Sequence, residues 1–459
     1  GLPSRGRAVF ATQAFACGDV VLEDVPFLVC AAKESLMAQW TENVRAFVAA
    51  PPSVRKSVFE LIPQCVDLTH RVARLAASFA EDVAVASRGD DERLSAEDLQ
   101  RAVLAFHLTS YQLEGEDSLV GLFSLVSKFN HSCDPNAKAA LRCPSIGASH
   151  VYALRAIAPG EEITLCYLTV GDRLLHAAAR KEHLFTHKMF VCSCRLCLVG
   201  GDMLRKIPCP RCHPRARGCL QEALVDEVAF AIEDLASGSW KCACCLNSWI
   251  NSKAFAEACG FRPPDEDRLG VAVGKYLKEL ESDCMYDAPG YEERRRLRAE
   301  ALCKFGPCHT TTIQLDLCAL DHNATLLQEL LLEGVHLQRP EPPHVTHVLL
   351  EYELLASGII RRLGEALPDG EAAAAALLWQ DVWNAGTLLG AFQRFDTARK
   401  LLELLKPFIT SCIRHLLSSC TASVFRACDL TPTSGLQALR EQIRHCRTAE
   451  DCPIVLVLF

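Results

Sequence analysis

Asn130-His131-Ser132-Cys133-Asp134-Pro135-Asn136 is followed in order by Glu161-Glu162-Ile163-Thr164-Leu165-Cys166-Tyr167 and by Cys192-x-Cys194-x-x-Cys197. A compact polar motif, an apolar strand running into a tyrosine, and a thiol knuckle thus share one part of the chain. The knuckle is the easiest to read. Cys192, Cys194 and Cys197 can wrap one tetrahedral zinc ion and leave one position for a distant ligand. A second set, Cys209-Pro210-Arg211-Cys212 and Cys242-Ala243-Cys244-Cys245, offers two knuckles separated by a loop long enough to fold back, the pattern of a zinc ribbon. Its expected ligands are Cys209, Cys212, Cys242 and Cys245, with Cys244, Cys219 or His213 as substitutes if the second knuckle is shifted. Four thiolates leave no open coordination position, so two structural ions are expected and neither makes this a metalloenzyme.

At 459 residues the chain exceeds one typical core, and two or three domains are expected. Lys plus Arg number 48 against 56 Asp plus Glu, a net charge of −8. That balance argues against direct nucleic-acid binding, which needs a basic surface, and suits either a basic peptide partner or plain solubility. The 25 cysteines fit a disulfide-bonded secreted chain or a reduced, zinc-binding one. The tight cysteine groups, and an opening Gly1-Leu2-Pro3-Ser4-Arg5 without a basic-then-apolar signal segment, favour the second. An intracellular location, cytoplasmic or nuclear, is expected. No apolar run reaches the roughly 18 residues of a membrane-spanning helix. The apolar tail Pro453-Ile454-Val455-Leu456-Val457-Leu458-Phe459 is too short to span and reads as a docking strand or a partner contact.

Around these motifs the hydrophobic pattern changes period. Ala8-Val9-Phe10-Ala11 and Val20-Val21-Leu22 read as short strands broken at Gly18-Asp19. Helical spacing follows in Leu36, Trp40, Val44 and Phe47 and again in Leu99, Val103 and Phe106, with a polar link over 87–91. Strand signals return between Leu119 and Leu168, punctuated by Cys143-Pro144-Ser145 and Pro159-Gly160. Long amphipathic helices are expected over 311–333, 345–363 and 396–405, stacked as hairpins in a repeat-like array. The Ala372 to Ala376 run is a strong helix former. The expected organisation is a β-rich opening (1–30), a helical insertion (31–115), a returning β-rich part (116–170), a zinc-binding connector (171–255) and an all-α C-terminal part (256–459), an α+β chain overall.

On the order and content of its three motifs the chain resembles SET-domain protein-lysine methyltransferases, and more narrowly the SMYD branch, over about residues 2 to 250. The resemblance implies a β-rich SET domain with an inserted segment, a post-SET zinc cluster and a helical, TPR-like C-terminal domain. It also implies that Cys133 supplies the missing fourth ligand to Cys192, Cys194 and Cys197. Asn130 and His131 match the family's pair for S-adenosylmethionine, Tyr167 its catalytic tyrosine, which also contacts the cofactor, and Phe190 an aromatic that covers the adenine or the lysine channel. Phe190 also reads as a staple on the zinc knuckle. Arg5-Gly6-Arg7 stands where such chains hold the cofactor through main-chain groups, although Ala8 replaces the family's second glycine. The implied partner is a protein substrate, histone or non-histone, presenting a lysine, and the C-terminal helices offer a dimer or partner surface.

Two departures stand out. Residues 30 to 120 contain only Cys30 and Cys65, so no MYND zinc finger is expected there, as in the parasite apical-complex lysine methyltransferases, which the chain also resembles. The family's upstream cofactor asparagine has no counterpart in Phe106-His107-Leu108-Thr109-Ser110-Tyr111; His107 is one substitute, and Tyr111 or Phe106 suits the lysine channel. A second reading of different class is a catalytically weak scaffold that keeps the zinc-stabilised fold and binds partners through its helices.

Overall fold

The structure, a computed structural model, describes residues 7–62, 66–86, 94–113, 118–141, 148–198, 200–212, 229–260, 264–281, 288–332, 342–365, 367 and 370–405. Arg5, Gly6, Cys65, the link over 87–91, His213, Cys219 and the apolar tail lie outside these residues. Of the described residues, those up to Thr169 together with Ala178–Arg195 form one compact unit. Val170–Ala177 and the residues from Leu196 onward form another.

The first unit holds three small sheets. In one, Val20–Asp24 pairs antiparallel with Ser149–Ala153, which pairs with Ala137–Ala140. In the second, Leu119–Phe123 lies between Pro26–Ala31 and Tyr111–Leu113. Pro26 begins an edge strand, where its missing N–H costs no ladder bond. In the third, Glu162–Leu165 is flanked by Val9–Phe10, antiparallel, and by Asn130–His131, parallel. Strands from before and after the helical segment therefore pair directly, Val9 opposite Ile163 and Cys30 opposite Val120. Phe123, Val126, Phe129, Val151, Ile157, Ile163 and Leu165 make a common apolar core beneath them.

Among the described residues four helices intervene, at Leu36–Ala49, Pro52–Glu60, Arg71–Ala86 and Ala96–Thr109. Ser35 and Ser95 cap the first and last, their hydroxyls accepting the N–H of Ala38 and Asp98. Glu97 and Asp98 add negative charge to the first turn of the Ala96–Thr109 helix, where the macrodipole favours it. Of the periodic residues Leu36 stays exposed and the rest form the buried faces: Trp40 and Val44 pack with Leu99 and Val103, while Phe47 packs with Val58, Phe106 and Leu122. Phe106 is therefore a core residue. Arg7 closes the end of the Pro52–Glu60 helix, its guanidinium donating to the carbonyls of Glu60, Leu61 (2.8 Å) and Ile62 (3.0 Å).

The second unit opens with a four-stranded antiparallel sheet, Ile207–Pro208, Phe230–Glu233, Trp240–Cys242 and Ser248–Trp249 in that order. Trp240 stacks on Phe255 with ring centroids 4.2 Å apart. Helices follow, the longest at Pro264–Glu281, Ala288–Phe305, Thr310–Leu332 and Pro343–Gly364. Leu327, Leu349, Tyr352, Ile359 and Leu389 share one core, while Leu269, Leu297 and Phe305 share another with Trp240 and Phe255. Asp316, fully buried, is neutralised by Arg362 at 2.8 Å and by Arg298. A buried carboxylate without such partners would be strongly destabilising. Sheets in the N-terminal region and helices beyond make the chain α+β, as its pattern predicts. Among the described residues no helix is long and apolar enough to cross a membrane.

One turn sets the site's geometry. Glu161 N–H bonds the Ala158 carbonyl at 3.1 Å across Pro159-Gly160, with Gly160 at φ +80°. This is the type II arrangement that favours Pro then Gly. Gly160→Ala would meet no neighbour within 4 Å, so its cost is backbone strain alone. A loss of about 1 kcal/mol is expected. Urea unfolding checks it: a shifted midpoint at unchanged slope is the expected result, and an unshifted midpoint would mean that the left-handed backbone is not enforced.

Candidate active site

The Glu162–Leu165 strand brings the first two motifs side by side, Asn130 opposite Thr164 and His131 opposite Leu165. Asp24 prepares the approach. Its carboxylate accepts the N–H groups of Leu125 (2.9 Å) and Val126 (3.0 Å), capping the short turn Val126–Lys128 that leads into Asn130. Asn136 then fixes the motif's far end. Its amide donates to Glu161 Oε1 (2.9 Å) and to the Glu162 carbonyl (2.8 Å), and its oxygen accepts the Thr164 N–H (2.8 Å). Only 2% of Asn136 is exposed, so these bonds cannot be exchanged for water. Partial burial pushes the Glu161 carboxyl up, but hydrogen bonds from Asn136, the Ala158 N–H and Arg155, with the Arg155 charge, hold it below the usual carboxylate range. Asn130 donates its amide to Glu162 Oε1 at 2.8 Å.

His131 joins the motif to both the tyrosine and the thiols. Its Nδ1 accepts the main-chain N–H of Tyr167 at 2.9 Å, so in the neutral ring the proton sits on Nε2. Nε2 lies 3.3 Å from Cys133 Sγ. The ring is 5.2 Å from that of Tyr167 and 5.8 Å from that of Phe190, and Tyr167 and Phe190 meet edge-on at 6.3 Å. The Tyr167 hydroxyl donates to the Phe129 carbonyl. Burial, and then the charge of Glu162, raise the Tyr167 hydroxyl well above its ordinary range, so it remains a proton donor at neutral pH. The Tyr111 hydroxyl is likewise raised, by burial and then by Tyr167, and its ring packs edge-on to Phe123 at 6.4 Å.

A lysine completes the wall. Lys188 Nζ lies 6.0 Å from the Tyr167 ring centroid and donates to the carbonyls of His107 (3.2 Å) and Leu108 (3.4 Å). Those carbonyls belong to the last turn of the Ala96–Thr109 helix, where the macrodipole favours a cation. The residue is partly exposed along its length but its amine lies deep, and that burial lowers its pKa to about 8. His107 Nε2 meets the His187 carbonyl at 2.9 Å, and its ring packs edge-on to Trp40. Burial first, then the Lys188 charge, lower the His107 pKa to about 4, so the ring is neutral.

The thiols gather in two groups, Cys133 with Cys192, Cys194 and Cys197, and Cys209 with Cys212, Cys242 and Cys245, each with all sulfurs within 4.8 Å of one another. The sulfurs of Cys133 and Cys192 are 3.9 Å apart, those of Cys209 and Cys245 3.7 Å, and those of Cys212 and Cys242 3.8 Å. A tetrahedron with Zn–S bonds of about 2.3 Å has edges of about 3.8 Å, so both groups fit a zinc ion. Cys244 is exposed and outside the second group.

Nothing in the sequence pattern marks Asn136 or Lys188 for a role. Asn136 closes the very motif that opens at Asn130, and Lys188 stands two residues before Phe190, but neither position carries a period or a metal-ligand spacing to mark it.

Residues 6–168 match the SET domain family. The chain therefore carries a SET domain over these residues, and its similarities are to SMYD-type proteins. It is similar to a SET and MYND domain-containing protein of Dictyostelium discoideum, 36% identical over 97 residues, which are 21% of this chain and 26% of that protein. It is similar to protein-lysine N-trimethyltransferase SMYD5 of Homo sapiens, 43% identical over 82 residues (18% and 19%). It is similar too to histone-lysine N-methyltransferase SMYD3 of Mus musculus, 35% identical over 105 residues (22% and 23%). The chain thus spans about a fifth to a quarter of the length of these curated relatives.

The depressed His107 gives a pH dependence with a definite sign. The unfolded chain binds a proton near pH 6.5 that the folded chain refuses until about 4. Its contribution is therefore intact above about 6.5 and lost as pH falls toward 4. His107→Gln is expected to flatten the denaturation midpoint between these limits. A wild-type slope retained in that variant would assign the effect elsewhere.

Proposed function

We propose that this chain is an S-adenosylmethionine-dependent protein-lysine N-methyltransferase, with two structural zinc ions. The observation that carries the reading is the Asn130-His131 strand set beside Tyr167 and Phe190 within a segment that matches the SET family. Relatives named as lysine methyltransferases support it. S-adenosylmethionine, when bound, supplies an electrophilic methyl on sulfonium sulfur. Asn130, His131, Phe190 and the main chain of Arg5, Gly6 and Arg7 would hold it.

The remaining chemistry belongs to the protein. A lysine amine is protonated at neutral pH and cannot act as a nucleophile until it loses that proton. Tyr167 is too weak an acid to serve as the base in its ionised form, so its part is to orient the amine and to accommodate positive charge on its ring face. Burial does the deprotonating work, as the resident Lys188 illustrates. His131 holds Tyr167 in register through its main-chain N–H, and Phe190 excludes water from the same wall. Cys133 ties the motif loop to the knuckle, and Cys209, Cys212, Cys242 and Cys245 would hold the second ion. The substrate class is a protein lysine, histone or non-histone.

Calorimetric titration of S-adenosylmethionine into the wild type and Asn130→Ala tests the reading, followed by methyl transfer to a protein extract with Tyr167→Phe as control. Binding weakened about tenfold or more by Asn130→Ala, and transfer reduced about a hundredfold by Tyr167→Phe, are expected. A folded, zinc-loaded chain that binds no cofactor would be a scaffold instead. Elemental analysis should find one zinc for each thiol group. Cys192→Ser is expected to lose one ion while Cys209–Cys245 keeps the other; an unchanged metal content would dismiss the first site.

A further inference from the structure

The amine beside the tyrosine is already occupied by the chain itself. Lys188 Nζ sits against the Tyr167 ring, in the unit that carries Asn130, His131 and Phe190, and two of its three N–H bonds go to the His107 and Leu108 carbonyls. Carbonyl oxygens and an aromatic face are what an acceptor ammonium needs in order to be received and oriented. The charge is also stabilised by the helix end, so a structural cap accounts for the two hydrogen bonds. It does not require the amine to lie on the aromatic wall.

We infer that Lys188 is itself a methyl acceptor of this site, modified within its own chain. The inference rests on the methyltransferase reading above and names one substrate for it. The ammonium first releases a proton to solvent, and burial makes that step accessible near neutral pH, since about a tenth of a group with a pKa of about 8 is neutral at pH 7. The Nζ lone pair then forms the N–CH3 bond to the methyl of S-adenosylmethionine. The S–CH3 bond breaks with its electron pair remaining on sulfur, which becomes a thioether, and the positive charge passes to the methylammonium. A monomethylammonium keeps two N–H bonds for the two carbonyls. A second methyl would orphan one of them, so a single methyl is the expected product.

The test uses the full zinc-loaded chain with S-adenosylmethionine carrying a deuterated methyl group, in the presence of a protein extract, followed by peptide mapping. One deuterated methyl on Lys188 is expected, absent from Tyr167→Phe. A Tyr167→Phe chain mixed with wild type should stay unlabelled at Lys188, because the step is intramolecular, and the labelled fraction should not change on dilution. A binding readout independent of turnover accompanies it. Calorimetry at neutral pH compares S-adenosylmethionine, a cation at sulfur, with the neutral S-adenosylhomocysteine. If Lys188 faces the sulfonium, Lys188→Met should shift the affinity ratio toward S-adenosylmethionine by about tenfold, whereas loss of a helix cap alone would change both affinities alike. Labelled extract with unlabelled Lys188, or an unshifted ratio, overturns the inference and leaves the methyltransferase standing. No cofactor binding, or no label anywhere, overturns both.

Discussion

The first unit depends on a strand that is held on both edges. Glu162–Leu165 pairs antiparallel with the chain's opening strand and parallel with Asn130–His131, and parallel neighbours cannot be joined by a tight turn. Some other device must fix their register. Asn136 provides it, because one buried carboxamide satisfies the Glu161 side chain, the Glu162 carbonyl and the Thr164 N–H together. A slip by one residue would break all of these bonds and turn Ile163 and Leu165 out of the core. The Pro159-Gly160 turn delivers the two glutamates to that knot, and Tyr167 emerges where the strand ends.

Charge is handled in the site by burial and helix ends more than by ion pairs. Lys188 places its amine on the closing carbonyls of the Ala96–Thr109 helix, His107 is kept neutral beside it, and Tyr167 is kept protonated. All three groups are pushed toward their neutral forms by removal from water. An environment of that kind suits a reaction whose nucleophile must be an uncharged amine.

The cysteines gather from distant parts of the chain. Cys133 and Cys192 are far apart in sequence yet 3.9 Å apart at sulfur, and the first of them lies two residues from His131. A metal ion there would lock the motif loop and, through His131, the main chain of Tyr167. A metal ion in the second group would do the same for its own sheet, where Cys242 ends one strand and Cys209 follows another.

Much of this was legible in the residues. Heptad-like spacing placed Trp40, Val44, Phe47, Leu99, Val103 and Phe106 on buried helix faces, and the α+β class followed from the change of period along the chain. Knuckle spacing marked the thiols, because metal ligation imposes short, fixed intervals that a linear sequence displays. Lys188 and Asn136 were not legible, since their roles come from partners 80 and 28 residues away. The side chain of Arg7 shows the same limit, since its guanidinium closes a helix more than fifty residues on and no local pattern announces that partner. The sequence by itself determined which elements form and which residue types carry the chemistry, because periodicity and ligand spacing are local. Only the tertiary structure decided which amine meets Tyr167 and which amide fixes the register, because burial and hydrogen bonding between distant residues exist only once the chain has folded.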